Sequence, residues 1–106
     1  MESIDWESIK PIISQRYGRW ELDWTDAFTM VKGLPDYFSK EETDYIAMRY
    51  QGYSHTEAYH LLNISKHTAW NYQRHIFWKF HYVRWVNEQL KKTQAFIIPS
   101  TTANPQ

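Results

Sequence analysis

The stretch SHTEAYHLLNISKHTAWNYQR, residues 54–74, contains two helix starts separated by one short turn. Ser54 and Glu57 form a capping box, in which a serine hydroxyl and a glutamate carboxylate satisfy free backbone N–H groups at a helix start. Ser65 is a second residue of the type that caps helices. Between them stands Asn63, which tolerates the left-handed backbone angles of a tight turn. The stretch therefore predicts two helices joined by one tight turn.

The rest of the chain also favours helices. Strand-like alternation is scarce, and the three Gly and four Pro residues fall mostly where helices are expected to start or stop. We predict further helices at about residues 8–18, 20–32, 40–51 and 66–92. The fold class is therefore all-α: a small multi-helix domain over residues 1–92 with a long C-terminal helix, followed by a loose tail at 93–106.

Composition excludes several function classes. Cysteine is absent, and no two histidines are three or four positions apart, so we expect no metal site. Three glycines do not make a phosphate-binding loop, and no spacing marks a catalytic set, so we expect no cofactor and no enzyme. No run approaches the roughly 18 apolar residues of a membrane span. The acidic start lacks a signal sequence, and we expect a cytoplasmic protein.

Charge is distributed unevenly although the formal net charge is zero. Residues 1–53 hold ten acidic and six basic residues, a net charge of −4, whereas residues 54–106 hold two acidic and six basic residues, a net charge of +4. All five histidines also lie in the second half. Such a split can steer a polyanion to one side of a small domain, unless the two halves pair with each other.

The segment AYHLLNISKHTAWNY, residues 58–72, resembles the helix-turn-helix of sigma-factor region four and of many bacterial and phage regulators. Leu62-Asn63-Ile64-Ser65 corresponds to the Leu-Gly-Ile-Ser turn of that family, and the resemblance extends over about residues 37–76. Tyr59 stands where the family commonly has alanine, and Ala69 stands where it has valine; the two exchanges compensate in volume. The resemblance implies a helix-turn-helix at about 54–76 that binds double-stranded DNA.

In such a motif the second helix enters the major groove, and its outward residues near the N-terminus meet base edges. At about 100° per residue, these residues are Lys66, His67, Trp70, Asn71 and Arg74. Asn71 matches adenine, and Lys66 or Arg74 matches guanine or phosphate. Trp70 either contacts the DNA or is buried. We also expect His55, Thr56 and Lys79 to contact phosphate.

The last helix carries a second apolar face, the aromatic stripe, formed by Trp78, Tyr82 and Trp85. A helix that is apolar on two sides is buried on two sides. Two covers are open: a second subunit or other protein partner, or the aromatic N-terminal segment of the same chain, which we favour. That segment contains Trp6, Tyr17, Trp20 and Trp24.

Three functions follow from these patterns. The first is a sequence-specific DNA-binding protein of phage or bacterial type that regulates transcription. The second is a phage DNA-packaging protein resembling small terminase subunits, in which the last helix builds a homo-oligomer. The third is a helix-turn-helix scaffold that binds a protein partner through the aromatic stripe.

Overall fold

The computed structural model describes residues 4–18 and 22–102, with side chains up to Thr93. Within these ranges the chain forms helices and no strands, which confirms the all-α prediction with its long C-terminal helix. The helices are α1 (Trp6–Tyr17), α2 (Trp24–Gly33), α3 (Lys40–Tyr50), α4 (His55–Leu61) and α5 (Lys66–Thr102). None of the described helices is long and apolar enough to cross a membrane.

Both α3 and α4 begin at a capping box. The Ser39 hydroxyl accepts from the Glu42 N–H at 3.1 Å, and the Glu42 carboxylate accepts from the Ser39 N–H at 3.0 Å. Ser54 and Glu57 make the same pair at 3.1 and 2.8 Å. These bonds satisfy backbone donors that the helix itself leaves free, and they confirm the helix starts predicted from the sequence.

The turn between α4 and α5 is as tight as predicted. Asn63 has a φ of 58°, in the left-handed region. Its position lets the N–H of Ile64 donate back to the carbonyl of Tyr59 at 3.1 Å, so a carbonyl at the end of α4 is satisfied. The Ser65 hydroxyl then accepts from the N–H of Thr68 at 3.0 Å and starts α5.

Two helix starts differ from the prediction. Helix α1 begins at Trp6 rather than Ser8, so Pro11 lies deeper in the helix than a first turn. Proline removes one backbone hydrogen bond there, and packing against α5 offsets that loss. Helix α2 begins at Trp24 rather than at residue 20, because the Asp23 carboxylate accepts from the N–H groups of Thr25 and Asp26 at 3.0 and 3.2 Å.

The sequence predicts a loose tail at 93–106; in the structure α5 continues through residues 93–102, and residues 103–106 lie outside the described part. No proline or glycine occurs between Ser65 and Pro99, and residues 88–95 are mostly strong helix formers. A helix of this length spans about 56 Å at 1.5 Å per residue. It therefore sets the long dimension of the molecule, 58 Å against 28 Å for the other two.

The core consists of two hydrophobic clusters on different sides of α5. Helices α2, α3 and α4 pack around the larger one, and α3 and α4 each contact α5. Its buried residues are Ala27, Phe38, Tyr45, Ile46, Ala58, Ala69, Ile76 and Phe80. The sequence predicts that three apolar residues beside the turn, Leu61, Leu62 and Ile64, form a buried wedge. Leu62 and Ile64 do pack against this cluster, whereas Leu61 is 56% exposed. The smaller cluster joins α1 to α5 through Ile13, Phe77 and Trp78.

Candidate nucleic-acid interface

The first turns of α5 form a polar surface. Lys66 and His67 are exposed, and Trp70, Asn71 and Arg74 are half-buried. At about 100° per residue, these five side chains all lie on one side of α5. Thr56, in the first turn of α4, is also exposed. Five of the predicted contact residues of α5 therefore share one accessible side of the domain.

A buried tyrosine fixes this surface relative to the rest of the domain. The ring of Tyr45 on α3 is fully buried, and its hydroxyl donates to the Gln73 side-chain oxygen on α5 at 2.9 Å. The same hydroxyl accepts from the Arg49 guanidinium at 2.9 Å and lies 2.8 Å from Nδ1 of His55 on α4. One hydroxyl thus links α3, α4 and α5, which holds the turn and the start of α5 in register.

His55 serves this linkage rather than a phosphate contact through Nδ1. Because the single proton of the Tyr45 hydroxyl goes to Gln73, His55 must donate its Nδ1–H to the tyrosine oxygen. Partial burial lowers the pKa of His55, and the positive charges of Arg49 and Lys66 lower it further. The imidazole is therefore neutral at pH 7. The backbone N–H groups at the start of α4 are also partly used by the capping box.

From the sequence, Trp70 either contacts DNA or is buried, and the structure shows a side chain that is partly accessible and partly packed. Its side chain is half-buried, and its ring stands perpendicular to that of His55 with the centroids 6.4 Å apart. The ring therefore supports the contact between α4 and α5 while part of it stays accessible beside Asn71.

The phosphate contact of Lys79 stays a prediction, and the structure places this side chain in an ion pair within the domain. Its ammonium group lies 2.7 Å from the Glu42 carboxylate and 3.3 Å from the carbonyl of Tyr37, and its side chain is only 23% exposed. Glu42 is 5% exposed and needs a positive partner, since an unpaired buried carboxylate is costly. Glu42 therefore serves both in the capping box of α3 and in an ion pair with α5. This pair, like Arg16 with Glu88 at 2.8 Å, joins the acidic and basic halves of the sequence.

Helix α1 covers the aromatic stripe. Trp78 is 7% exposed, and its indole N–H donates to the Ser14 hydroxyl at 3.1 Å. The Trp6 ring meets Tyr82 edge-on at 5.4 Å, and Tyr17 packs against the same cluster as Trp85. Helix α1 of the same chain therefore buries Trp78 and partly covers Tyr82 and Trp85, so the protein-binding hypothesis keeps only the accessible part of these two rings as its surface.

The N-terminal aromatic residues do not all take part in this cover. Trp24 packs instead on the other side of α5, where its ring lies 5.6 Å from Tyr45 and belongs to the larger cluster. Its inclusion in the cover was wrong, because Asp23 starts α2 at this point and directs the chain toward α3. Trp20 lies outside the described residues.

Several residues of the site were missed in the sequence. Tyr45 and Arg49 stand four positions apart on α3, a spacing that places two side chains side by side and could have indicated their contact. Gln73 carried no comparable signal, because its partner Tyr45 lies on another helix. Among the described residues, no three His, Asp or Glu side chains are grouped to hold a metal ion.

No family model, curated protein or solved structure matches this chain. The resemblance to sigma-factor region four thus rests on residues 37–76 alone and stays a prediction. The two departures from that pattern do fit the packing: Ala69 is fully buried, while the larger Tyr59 is half-buried at the margin of the core.

Proposed function

We propose that the protein binds double-stranded DNA sequence-specifically through residues 54–76 and acts as a transcription regulator of phage or bacterial type. One observation carries the proposal: a tight Asn63 turn leads into a helix whose first turns present Lys66, His67, Asn71 and Arg74 on one accessible side. Recognition helices of helix-turn-helix proteins use the same positions to reach base edges.

The dimensions of this surface agree with a DNA groove. An α-helix with its side chains is about 10–12 Å across, which fits the major groove of B-form DNA with its width of about 12 Å; from Lys66 to Arg74 the helix rises about 12 Å along its axis. Asn71 lies near the middle of this length and carries the donor and acceptor pair that adenine presents in mirror image. Lys66 and Arg74 lie at the two ends, where they are suited to phosphate or guanine.

The charge of the surface supports an anionic partner. Lys66 is exposed at the start of α5, and Arg74 lies two turns further along the same side. The acidic residue of the motif, Glu57, is engaged in the capping box at the start of α4. DNA binding through such a surface releases counterions, so affinity should fall steeply as salt rises.

Selection of bound duplexes from a random DNA pool tests the proposal, and the affinity for the selected duplex is then measured by fluorescence anisotropy at several salt concentrations. We expect a defined site and a steep salt dependence. No binding to any duplex, or an affinity that is constant from low to high salt, contradicts the proposal.

Asn71→Ala should relax the preference for adenine at one position of the selected site. The loss of a bidentate contact reduces discrimination there by about 1–3 kcal/mol, while affinity for unrelated DNA stays unchanged. Asn87→Ala is the matched control: Asn87 is exposed on α5 about 24 Å further along the helix axis. An equal effect of the two substitutions would remove Asn71 from the reading surface.

A second candidate function is DNA packaging, which the length of α5 favours. The helix continues to Thr102, beyond the Arg16–Glu88 ion pair that marks the far end of the α1 contact, and Leu90 is 54% exposed there. Packaging subunits that resemble small terminases assemble into rings through such added helices. Light scattering separates the candidates: a ring of many subunits supports packaging, whereas a monomer or dimer supports regulation.

A further inference from the structure

Helix α1 crosses α5 immediately beyond the proposed reading surface and on the same side of the helix. Trp78 follows Arg74 by four residues and Asn71 by seven, so the three side chains share one side of α5. Trp78 is also the residue that α1 covers, through the Ser14 hydrogen bond and the packing of Ile13. The α1 helix therefore borders the surface that would face DNA.

This border collects positive charge around one indole ring. The Lys10 ammonium of α1 lies 4.5 Å from the centroid of the Trp78 ring, and the Arg74 guanidinium of α5 lies 5.2 Å from it. The His75 ring lies 6.0 Å from that of Trp78, but burial and the neighbouring cations lower the pKa of its imidazole, so it adds no positive charge at neutral pH. Cations at these distances are attracted by the ring. One indole ring thus contacts basic side chains from two helices.

The group is accessible from solvent. The side chain of Lys10 is 30% exposed and that of His75 is 54% exposed. Both line a groove of about 330 Å³ between α1 and α5, whose walls also include Trp6 and Lys79. An anionic group at the rim of this groove can reach the Lys10 ammonium without displacing the core.

Two carboxylates lie near these cations, and they differ in effect. Glu42 is buried and already paired with Lys79 at 2.7 Å, so it repels an incoming anion little. Glu7 is 88% exposed, and its carboxylate lies 3.4 Å from the Lys10 ammonium. A surface pair of this kind is weak, so a phosphate can compete for Lys10. Arg74, whose guanidinium lies 5.2 Å from the centroid of the same indole ring, adds a second positive charge at this border.

We propose that Lys10, together with Arg74, forms an accessory phosphate-contact surface, through which α1 holds the DNA backbone where it leaves the reading surface. The inference rests on the proposed DNA-binding function. It adds Lys10, which lies 56 positions before Lys66 in the sequence, to the residues that contact DNA. Lysine is well suited to this role, because its ammonium group binds phosphate as a point charge without requiring base identity.

Neutralising substitutions test the proposal on the duplex selected from the random pool and on an unrelated duplex. Lys10→Gln should reduce the magnitude of the salt slope by about 0.9 and weaken both duplexes roughly fivefold near physiological salt. Glu7→Gln should have the opposite sign and tighten both, because it removes the competing carboxylate. Lys10→Arg should retain binding, and circular dichroism should show an unchanged helix content in all three.

Lys92→Gln is the matched control, since it removes the same charge from an exposed position of α5 about 21 Å beyond Trp78. That distance is more than twice the Debye length of about 8–10 Å. If Lys10→Gln weakens binding no more than Lys92→Gln does, the accessory contact is overturned and the proposed function stands. If the unmodified protein binds no duplex at all, the proposed function fails and the accessory contact fails with it.

Discussion

Trp78→Ala should lower the free energy of unfolding by about 3–5 kcal/mol, as replacement of a buried tryptophan by alanine commonly does. The indole fills the contact between α1 and α5, where it packs with Ile13 and Phe77. Its N–H also donates to Ser14, and the hydroxyl would lose this donor. A domain of this size has a total stability of about 5–15 kcal/mol, so urea-induced unfolding followed by circular dichroism should show a large shift.

Trp85→Ala provides the matched control from the same aromatic stripe. Trp85 is half-buried at the margin of the cluster, so its replacement should cost clearly less. Because α1 of the same chain covers Trp78, the loss caused by Trp78→Ala should be the same at low and high protein concentration. A loss that grows with protein concentration would instead assign the cover to a second chain, since subunit contacts make stability concentration-dependent.

Glu42→Ala should lower the free energy of unfolding by about 3 kcal/mol. The substitution removes the acceptor for the Ser39 N–H and leaves the Lys79 ammonium without its carboxylate in a mostly buried position. The value lies at the lower end for buried ion pairs, because Lys79 keeps 23% of its side chain exposed and can regain some water. Thermal and urea unfolding both measure this change.

Glu57→Ala separates the cap from the ion pair. Glu57 makes the same capping-box hydrogen bond to Ser54, at 2.8 Å, but it is exposed and lies in the capping box of α4. Its replacement should cost about 1 kcal/mol, the usual value of a helix cap. Similar losses for the two glutamates would mean that the Lys79 pair contributes nothing to stability. If the pair contributes as described, replacing Glu42 and Lys79 together should lower the free energy of unfolding less than Glu42→Ala alone.

The helix starts and the turn were predictable because their determinants lie within a few residues of one another. Ser39, Ser54 and Ser65 each accept a hydrogen bond from the N–H three positions later, whatever the rest of the chain does. Asn63 adopts its left-handed φ through a local preference of the same kind. The polar surface at the start of α5 follows from these features together with the helical repeat.

The sequence said least about residues whose surroundings are set by elements far away along the chain. Lys79 looked like a free cation, but it pairs with Glu42, 37 positions earlier. Leu61 matched the wedge by type, yet the end of α4 leaves it 56% exposed. Hydrophobic pattern and charge say that a residue needs a partner or solvent; they do not say which element supplies it.

The local sequence by itself therefore determined where most of the helices begin, how α4 turns into α5 and which residues follow that turn. Only the tertiary structure decided that α1 lies over Trp78 and that Tyr45 ties three helices together. It alone brought Lys10 and Arg74 to the same indole ring. The physical reason is range: a cap forms within one helical turn, whereas the bond between Ser14 and Trp78 joins residues 64 positions apart. Such contacts form only when several helices bury their apolar faces at once.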